Sequence, residues 1–225
     1  MKKYVIIVAG GSGQRMLTDI PKQFLTIAGK CVLLYSLETF VEAIPDIRII
    51  LVLPEAHLAY WKDLVRDQHI SIAHSIVIGG ETRSQSVKNG LRQISEKSLV
   101  GIHDGVRPLI TPSLIKRLYA EAEISGNVIP VISVAETVRQ IDGDHSIMLD
   151  RNQLRLVQTP QIFHSDVLHK AYENCGLGLF TDDAAIVEAA GYKVHLCAGD
   201  PENIKLTLPT DFLLAEAILQ KRNSL

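Results

Sequence analysis

The chain has 225 residues, 47% hydrophobic and 21% charged, a composition that fits one folded α/β domain and excludes a disordered or low-complexity segment. Its 23 Lys and Arg nearly balance 25 Asp and Glu, for a formal net charge of −2, so no general basic field recruits nucleic acid or anionic lipid and any attraction for phosphate has to be local. No apolar run reaches the ~18 residues of a membrane span, and a strand is expected directly after Lys3, which leaves no room for a signal peptide; a cytoplasmic protein is expected.

Residues 4–8 form a short, continuous apolar run that suits a central strand buried on both faces. The C-terminal end of such a strand is where an open α/β sheet binds ligands. Gly10, Gly11 and Gly13 follow, able to take positive φ and to bring amide N–H groups close to anionic oxygens. Arg15 and Lys22 then offer a planar fork and a point charge to the same anion. A dinucleotide loop fits less well, because Met16 stands where its third glycine belongs and the acidic ribose partner would fall in a helical stretch. No P-loop string occurs, and a purely structural turn is the remaining alternative.

The string Ala9-Gly10-Gly11-Ser12-Gly13-Gln14-Arg15-Met16, followed by Pro21-Lys22-Gln23, resembles the opening signature of sugar-phosphate nucleotidyltransferases. With that Pro-Lys-Gln ending it is most similar to the 2-C-methyl-D-erythritol 4-phosphate cytidylyltransferase family of isoprenoid biosynthesis. The resemblance implies a Rossmann-like, open, mostly parallel sheet flanked by helices, with CTP and a small sugar-alcohol phosphate as substrates and Mg²⁺ as cofactor. It places Ala9, Gly10, Gly11 and Gly13 at the nucleotide, with Arg15 and Lys22 as catalytic cations.

Further along, 24–27 reads as a short extended piece before a turn, 32–43 as a helix and 48–53 as the second strong strand. A helix is expected over 57–68, and His57, His69 and His74 are read as solvent or turn residues because none has a metal-ligand spacing. Cys31, Cys175 and Cys197 are odd in number and far apart, which argues against a disulfide framework or a metal knuckle. A strand over 75–78 runs into Gly79-Gly80-Glu81-Thr82-Arg83-Ser84-Gln85-Ser86, glycines and hydroxyls that fit either a capped turn or a ligand loop. By the resemblance Gly80, Glu81 and Ser86 contact the cytosine ring, while Arg83 is expected to brace the loop.

A fourth strand, 99–103, leads to Asp104 and Arg107. A carboxylate at a strand tip needs compensation, either from a hydrated Mg²⁺ on a triphosphate or from an Asp–Arg bridge. The resemblance assigns Asp104 to the metal and substrate side and Arg107 to the substrate phosphate region or its support. Thr111 and Pro112 open a helix that closes at Gly126, and 127–132 is a strand. Residues 133–158 then alternate around Asp142-Gly143 as a hairpin, which alone is marginal in water and needs a partner surface.

The resemblance makes 133–158 a dimerisation arm within a single domain spanning 1–225. In a homodimer it would carry Arg151 into the other subunit's site as a catalytic residue, with Thr137 in the same pocket; an ordinary hairpin surface charge is the alternative for Arg151. Thr159 begins a turn back to the core, Ser165 caps a helix to 174, and the Thr181-Asp182-Asp183 run caps a short helix stopped by Gly191. The resemblance puts Thr159 and Thr181 near the sugar-alcohol substrate. Strands are expected over 192–197 and 203–207, and a last helix runs from Pro209 to Leu219. Lys205 would face away from Ile204 and Leu206, and the resemblance turns it into the cleft as a fourth catalytic cation. Ribitol 5-phosphate cytidylyltransferases resemble this family closely and are the alternative, but Asp150-Arg151-Asn152 followed by Leu154 is more similar to the methylerythritol branch. A non-catalytic nucleotide-binding module would be expected to lack Arg15, Lys22 or Asp104, and all three are present.

Overall fold

The computed structural model describes residues 1–10, 21–174 and 180–224, so that Gly11, Gly13, Arg15 and Cys175 lie outside the described residues. Strand β1 (Lys2–Val8) is central, pairing in parallel with β4 (Arg48–Leu53) on one side and β6 (Ser98–Asp104) on the other. Strand β5 (His74–Ile78) extends the parallel sheet beyond β4. Past β6 the direction changes: β11 (Gln161–His164) runs antiparallel to both β6 and β7 (Val128–Ser133). Strand β7 also takes β10 (Arg155–Val157) antiparallel and β12 (His195–Ala198) parallel. Two short strands, β2 (Thr26–Ile27) and β3 (Lys30–Cys31), pair separately.

Alternation along β1 divides the core. Val5 and Ile7 face a cluster with Leu37, Phe40, Trp61 and Leu118 from α1 (Val32–Ala43), α2 (Leu58–Asp67) and α4 (Pro112–Ser125). Tyr4, Ile6 and Val8 face the opposite layer, built from α3 (Arg83–Leu91), α5 (Ser165–Asn174) and α6 (Asp183–Ala189). A third cluster joins Ile27, Val32, Val106 and Leu206 to Ala215 of α7 (Pro209–Asn223). Ile6 and Ile7 are both fully buried, each side chain contributing ~2 kcal/mol of burial.

The order of crossings fixes where a ligand fits. From β1 the chain goes outward through β4 and β5, then returns to β6 on the other side of β1. Such a reversal opens a crevice at the carboxyl ends of the two strands. Register sets Val8 opposite Asp104 at that edge.

Several local expectations change. A paired ribbon exists, β8 (Val138–Asp142) with β9 (His145–Leu149), turning at Gly143 with φ +57°; it is shorter than 133–158, because 155–157 joins the main sheet as β10. The turn expected at 159–161 runs straight into β11. Residues 203–207 form no strand: they are an irregular strap held by side chains and by Leu206 N–H on Val106 O, and β12 begins only at His195. The Ser165 hydroxyl accepts from Ser98 N–H and donates to Glu96 O, so it ties α5 to the start of β6 and does not cap its own helix. Asp182, not Thr181, caps α6, accepting from Ala185 N–H at 3.1 Å. His74 lies in β5 and accepts the Trp61 indole N–H at 3.0 Å, an interior role that its isolated position gave no sign of. The last helix continues to Asn223.

Candidate active site

A cleft of about 240 Å³ opens at this crevice, and four segments build its walls. The first is the end of β1. Ala9 donates its N–H to Val52 O, and its carbonyl accepts from the buried Gln23 Nε2 at 2.8 Å, which locks the strand end to the turn that carries Lys22. Gly10 lines the cleft without using positive φ; the left-handed glycines among the described residues are Gly29, Gly126, Gly143 and Gly191. Lys22 also lines the cleft, close enough to α7 for its charge to bear on Asp211.

The second wall is the β5–α3 loop. Ser86 is buried, its hydroxyl accepting from Gly80 N–H at 3.0 Å and donating to Thr82 O at 2.9 Å. Thr82 caps α3 by accepting from Gln85 N–H, and Glu81 N–H donates to Gln85 Oε1. The side chains therefore shape a backbone rim, with Gly80 and Glu81 at the cleft.

The third wall is the tip of β6. Asp104 is buried with three cations around it: Arg83 Nε at 3.3 Å from Oδ1, Lys205 Nζ at 2.9 Å from Oδ2, and Arg107 Nε at 3.7 Å. Burial pushes its carboxyl up, but the positive charges of Arg83, Lys205 and Arg107 outweigh this and hold it well below the usual carboxylate range. Its backbone N–H donates to Thr159 Oγ1 at 3.0 Å. His103 Nε2 faces Arg107 O, which can only accept, at 3.3 Å, so the neutral imidazole carries its proton there and Nδ1 accepts from the Thr159 hydroxyl at 3.2 Å. His103 is fully buried, and desolvation lowers its pKa to about 4, so it is neutral near pH 7.

The fourth wall is the strap before α7. Gln158 clamps it by donating to Asp200 O at 2.8 Å and accepting from Asp200 N–H at 3.1 Å. Asn203 Nδ2 donates to Thr159 O, and Arg107 Nη1 donates to Asn203 O at 2.8 Å. These contacts hold Lys205 over Asp104.

Lys22 and Lys205, 183 positions apart in the chain, thus line one cleft together with Ala9, Gly10, Gly80, Ser86 and Asp104. Arg107 and Thr159 stand behind it, supporting the strap and Asp104. Thr137, Arg151 and Thr181 are exposed and outside its lining; the Arg151 guanidinium donates to Ala135 O at the base of the arm. Arg15 is not among the described residues. Sequence reasoning overlooked Gln158, Asn203 and Asp183. No local pattern marks the three, because their partners lie far along the chain.

Comparison with known proteins agrees with this geometry. The family model for 2-C-methyl-D-erythritol 4-phosphate cytidylyltransferase matches residues 3–221. Proteins of that name from Phocaeicola vulgatus and Bacteroides thetaiotaomicron are 49% and 48% identical over 219 residues, covering 97% of this chain and 100% of theirs. The crystal structure of 4-diphosphocytidyl-2C-methyl-D-erythritol synthase from Anaerococcus prevotii superposes with a TM-score of 0.84 at 30% identity, covering 97% of this chain and 98% of that one. On these grounds the chain belongs to the 2-C-methyl-D-erythritol 4-phosphate cytidylyltransferase family, and is a nucleotidyltransferase with an α/β nucleotidyltransferase fold.

Proposed function

We propose that the chain transfers CMP from CTP to the phosphate of 2-C-methyl-D-erythritol 4-phosphate, releasing pyrophosphate, in isoprenoid biosynthesis. The observation that carries this reading is the convergence of Lys22 and Lys205 beside Asp104 at the sheet's switch point. An oxygen of the acceptor phosphate attacks the α-phosphorus of CTP, the bond to the bridging oxygen breaks, and pyrophosphate leaves with those electrons. Both reactants are anions, so positioning and charge stabilisation dominate the barrier. The acceptor phosphate is already ionised near neutrality, and no general base is required.

In this reading Arg15 and Lys22 hold the charge that builds on the α-phosphoryl oxygens. Lys205 orients the acceptor phosphate, and Ala9, Gly10, Gly11, Gly13, Gly80, Glu81 and Ser86 surround the nucleotide. Arg107 and Thr159 serve through Asp104 and the strap, and Thr181 borders the sugar-alcohol end. Mg²⁺ fits the donor set: the described residues hold no group of three His, Cys, Asp or Glu that could cage a metal, and Mg²⁺ favours one or two carboxylates plus phosphate oxygens and retained water. Asp104 would hold it, exchanging part of its contact with Lys205. When bound, the ion neutralises triphosphate charge.

The arm completes the proposal. Ile141, Ile147 and Met148 are exposed on a ribbon that pairs only with itself, and Leu156 and Val157 of β10 are exposed at its base. A second copy of the chain would cover them and bring Arg151 and Thr137 to the neighbouring cleft. A soluble, cytoplasmic homodimer is the assembly proposed, in line with the absence, among the described residues, of a helix long and apolar enough to cross a membrane. The test is pyrophosphate release from CTP with methylerythritol 4-phosphate and, separately, with ribitol 5-phosphate. Turnover with the first and little with the second is expected, and the reverse preference would overturn the assignment.

A further inference from the structure

Behind the cleft wall lies a carboxylate that no step above uses. Asp183 opens α6 and is fully buried; its Oδ2 accepts from Arg83 Nη2 at 2.7 Å and its Oδ1 from the Tyr172 hydroxyl at 2.5 Å. The start of α6 is itself fastened to the sheet, since Gln161 Nε2 donates to Asp182 Oδ2 and Gln161 Oε1 accepts from Ala184 N–H, both at 2.9 Å. Arg83, in contrast to Asp183, lines the cleft. Its guanidinium is a rigid planar fork, so the partner that binds one edge decides where the other edge points. The contact to Asp183 is the shorter one, with Asp104 met only by Nε at 3.3 Å.

We propose that Asp183 is a positioning residue for phosphoryl transfer: by holding Arg83 from behind, it limits that arginine to one edge-on contact with Asp104 and leaves Asp104 Oδ2 to Lys205. This rests on the reading that Asp104 and Lys205 serve the phosphates. If the charge on Asp183 is removed, the half-buried guanidinium has Asp104 as its remaining anionic partner. Two-point pairing between guanidinium and carboxylate is the favoured geometry, and Arg83 would take it at the expense of Lys205. A simple tie between α6 and α3 would affect melting and leave the chemistry of the folded protein alone.

The experiment measures kcat, KM for CTP and thermal melting for Asp183→Asn, Arg83→Gln, the double variant and Lys205→Ala. For Asp183→Asn the expected result is a kcat lower by about 10- to 100-fold, the scale of a small misplacement, with KM for CTP moved by less than about threefold. The double variant should be no slower than Arg83→Gln, because Asp183 acts only through Arg83. A folded Asp183→Asn with kcat within about threefold of the parent overturns the inference. Should that variant fail to melt cooperatively, Asp183→Glu, which keeps the charge but shifts the carboxylate by one methylene and the guanidinium with it, takes its place: a kcat more than about threefold lower supports the inference, and one within about threefold overturns it. Normal turnover in Lys205→Ala would overturn the reading of the cleft and this inference with it. Loss there beside a normal Asp183→Asn would overturn the Asp183 inference alone.

Discussion

His103 sits one residue from the cleft's central carboxylate and illustrates how burial sets a charge state. Its neutral imidazole joins a short buried chain from Asp104 N–H through Thr159 to Arg107 O, and desolvation disfavours a second ring proton there. The sign of the resulting pH dependence follows from its pKa of about 4, below the unfolded value of ~6.5. Between those values the unfolded chain binds a proton that the folded chain refuses. His103 therefore contributes stability fully above pH ~6.5, and this is lost as pH falls to ~4. Urea unfolding of His103→Gln across that window should show a shallower fall than the parent, by up to about 1.4 kcal/mol per pH unit; equal slopes would mean that another group governs acid unfolding. At this scale the sequence was readable where a residue stands in a contiguous motif, as Asp104 and Lys22 do. Gln158 and Asn203 were not readable, because their partners lie about 40 residues away and a buried amide looks like a surface one until its acceptor is known.

Secondary elements repeat that division. Strands β1 and β4 announced themselves as unbroken apolar runs, at 4–8 and 49–53, because both their faces are covered. Strand β11 is only four residues long and opens with Gln161, and its pairing to β6 joins segments about 60 positions apart, so no local pattern marks it. The strap at 203–207 misled for the opposite reason: its alternation of apolar and polar residues imitates a strand, yet what fixes it is contact with Gln158, Arg107 and Val106. The β8–β9 ribbon was legible from its alternation and its Asp142-Gly143 turn, and its exposed Ile141, Ile147 and Met148 motivate an exchange of arms. If sites are shared, mixing Arg151→Ala subunits with Lys22→Ala subunits should restore activity toward about a quarter of the parental level, since about half the dimers are mixed and each has one intact site. Activity no higher than that of either variant alone would place Arg151 in its own chain's chemistry or in none.

For the molecule as a whole, the sheet's reversal at β1 is what brings Lys22 and Lys205 to one crevice, and no smaller unit of the fold contains both. The fold class was legible from the order of elements, whereas the antiparallel flank of β10 and β11 depends on long-range pairing. The central claim is that cations from remote segments act on a single transfer between two anions, and a double-variant cycle on turnover tests it most directly. Lys22→Ala and Lys205→Ala should each lower kcat by ~10²-fold, the cost of removing one stabiliser of developing charge, and the double variant should fall short of the ~10⁴-fold product because the two act as a unit. A folded Lys22→Ala or Lys205→Ala variant that turns over within about threefold of the parent would contradict the account.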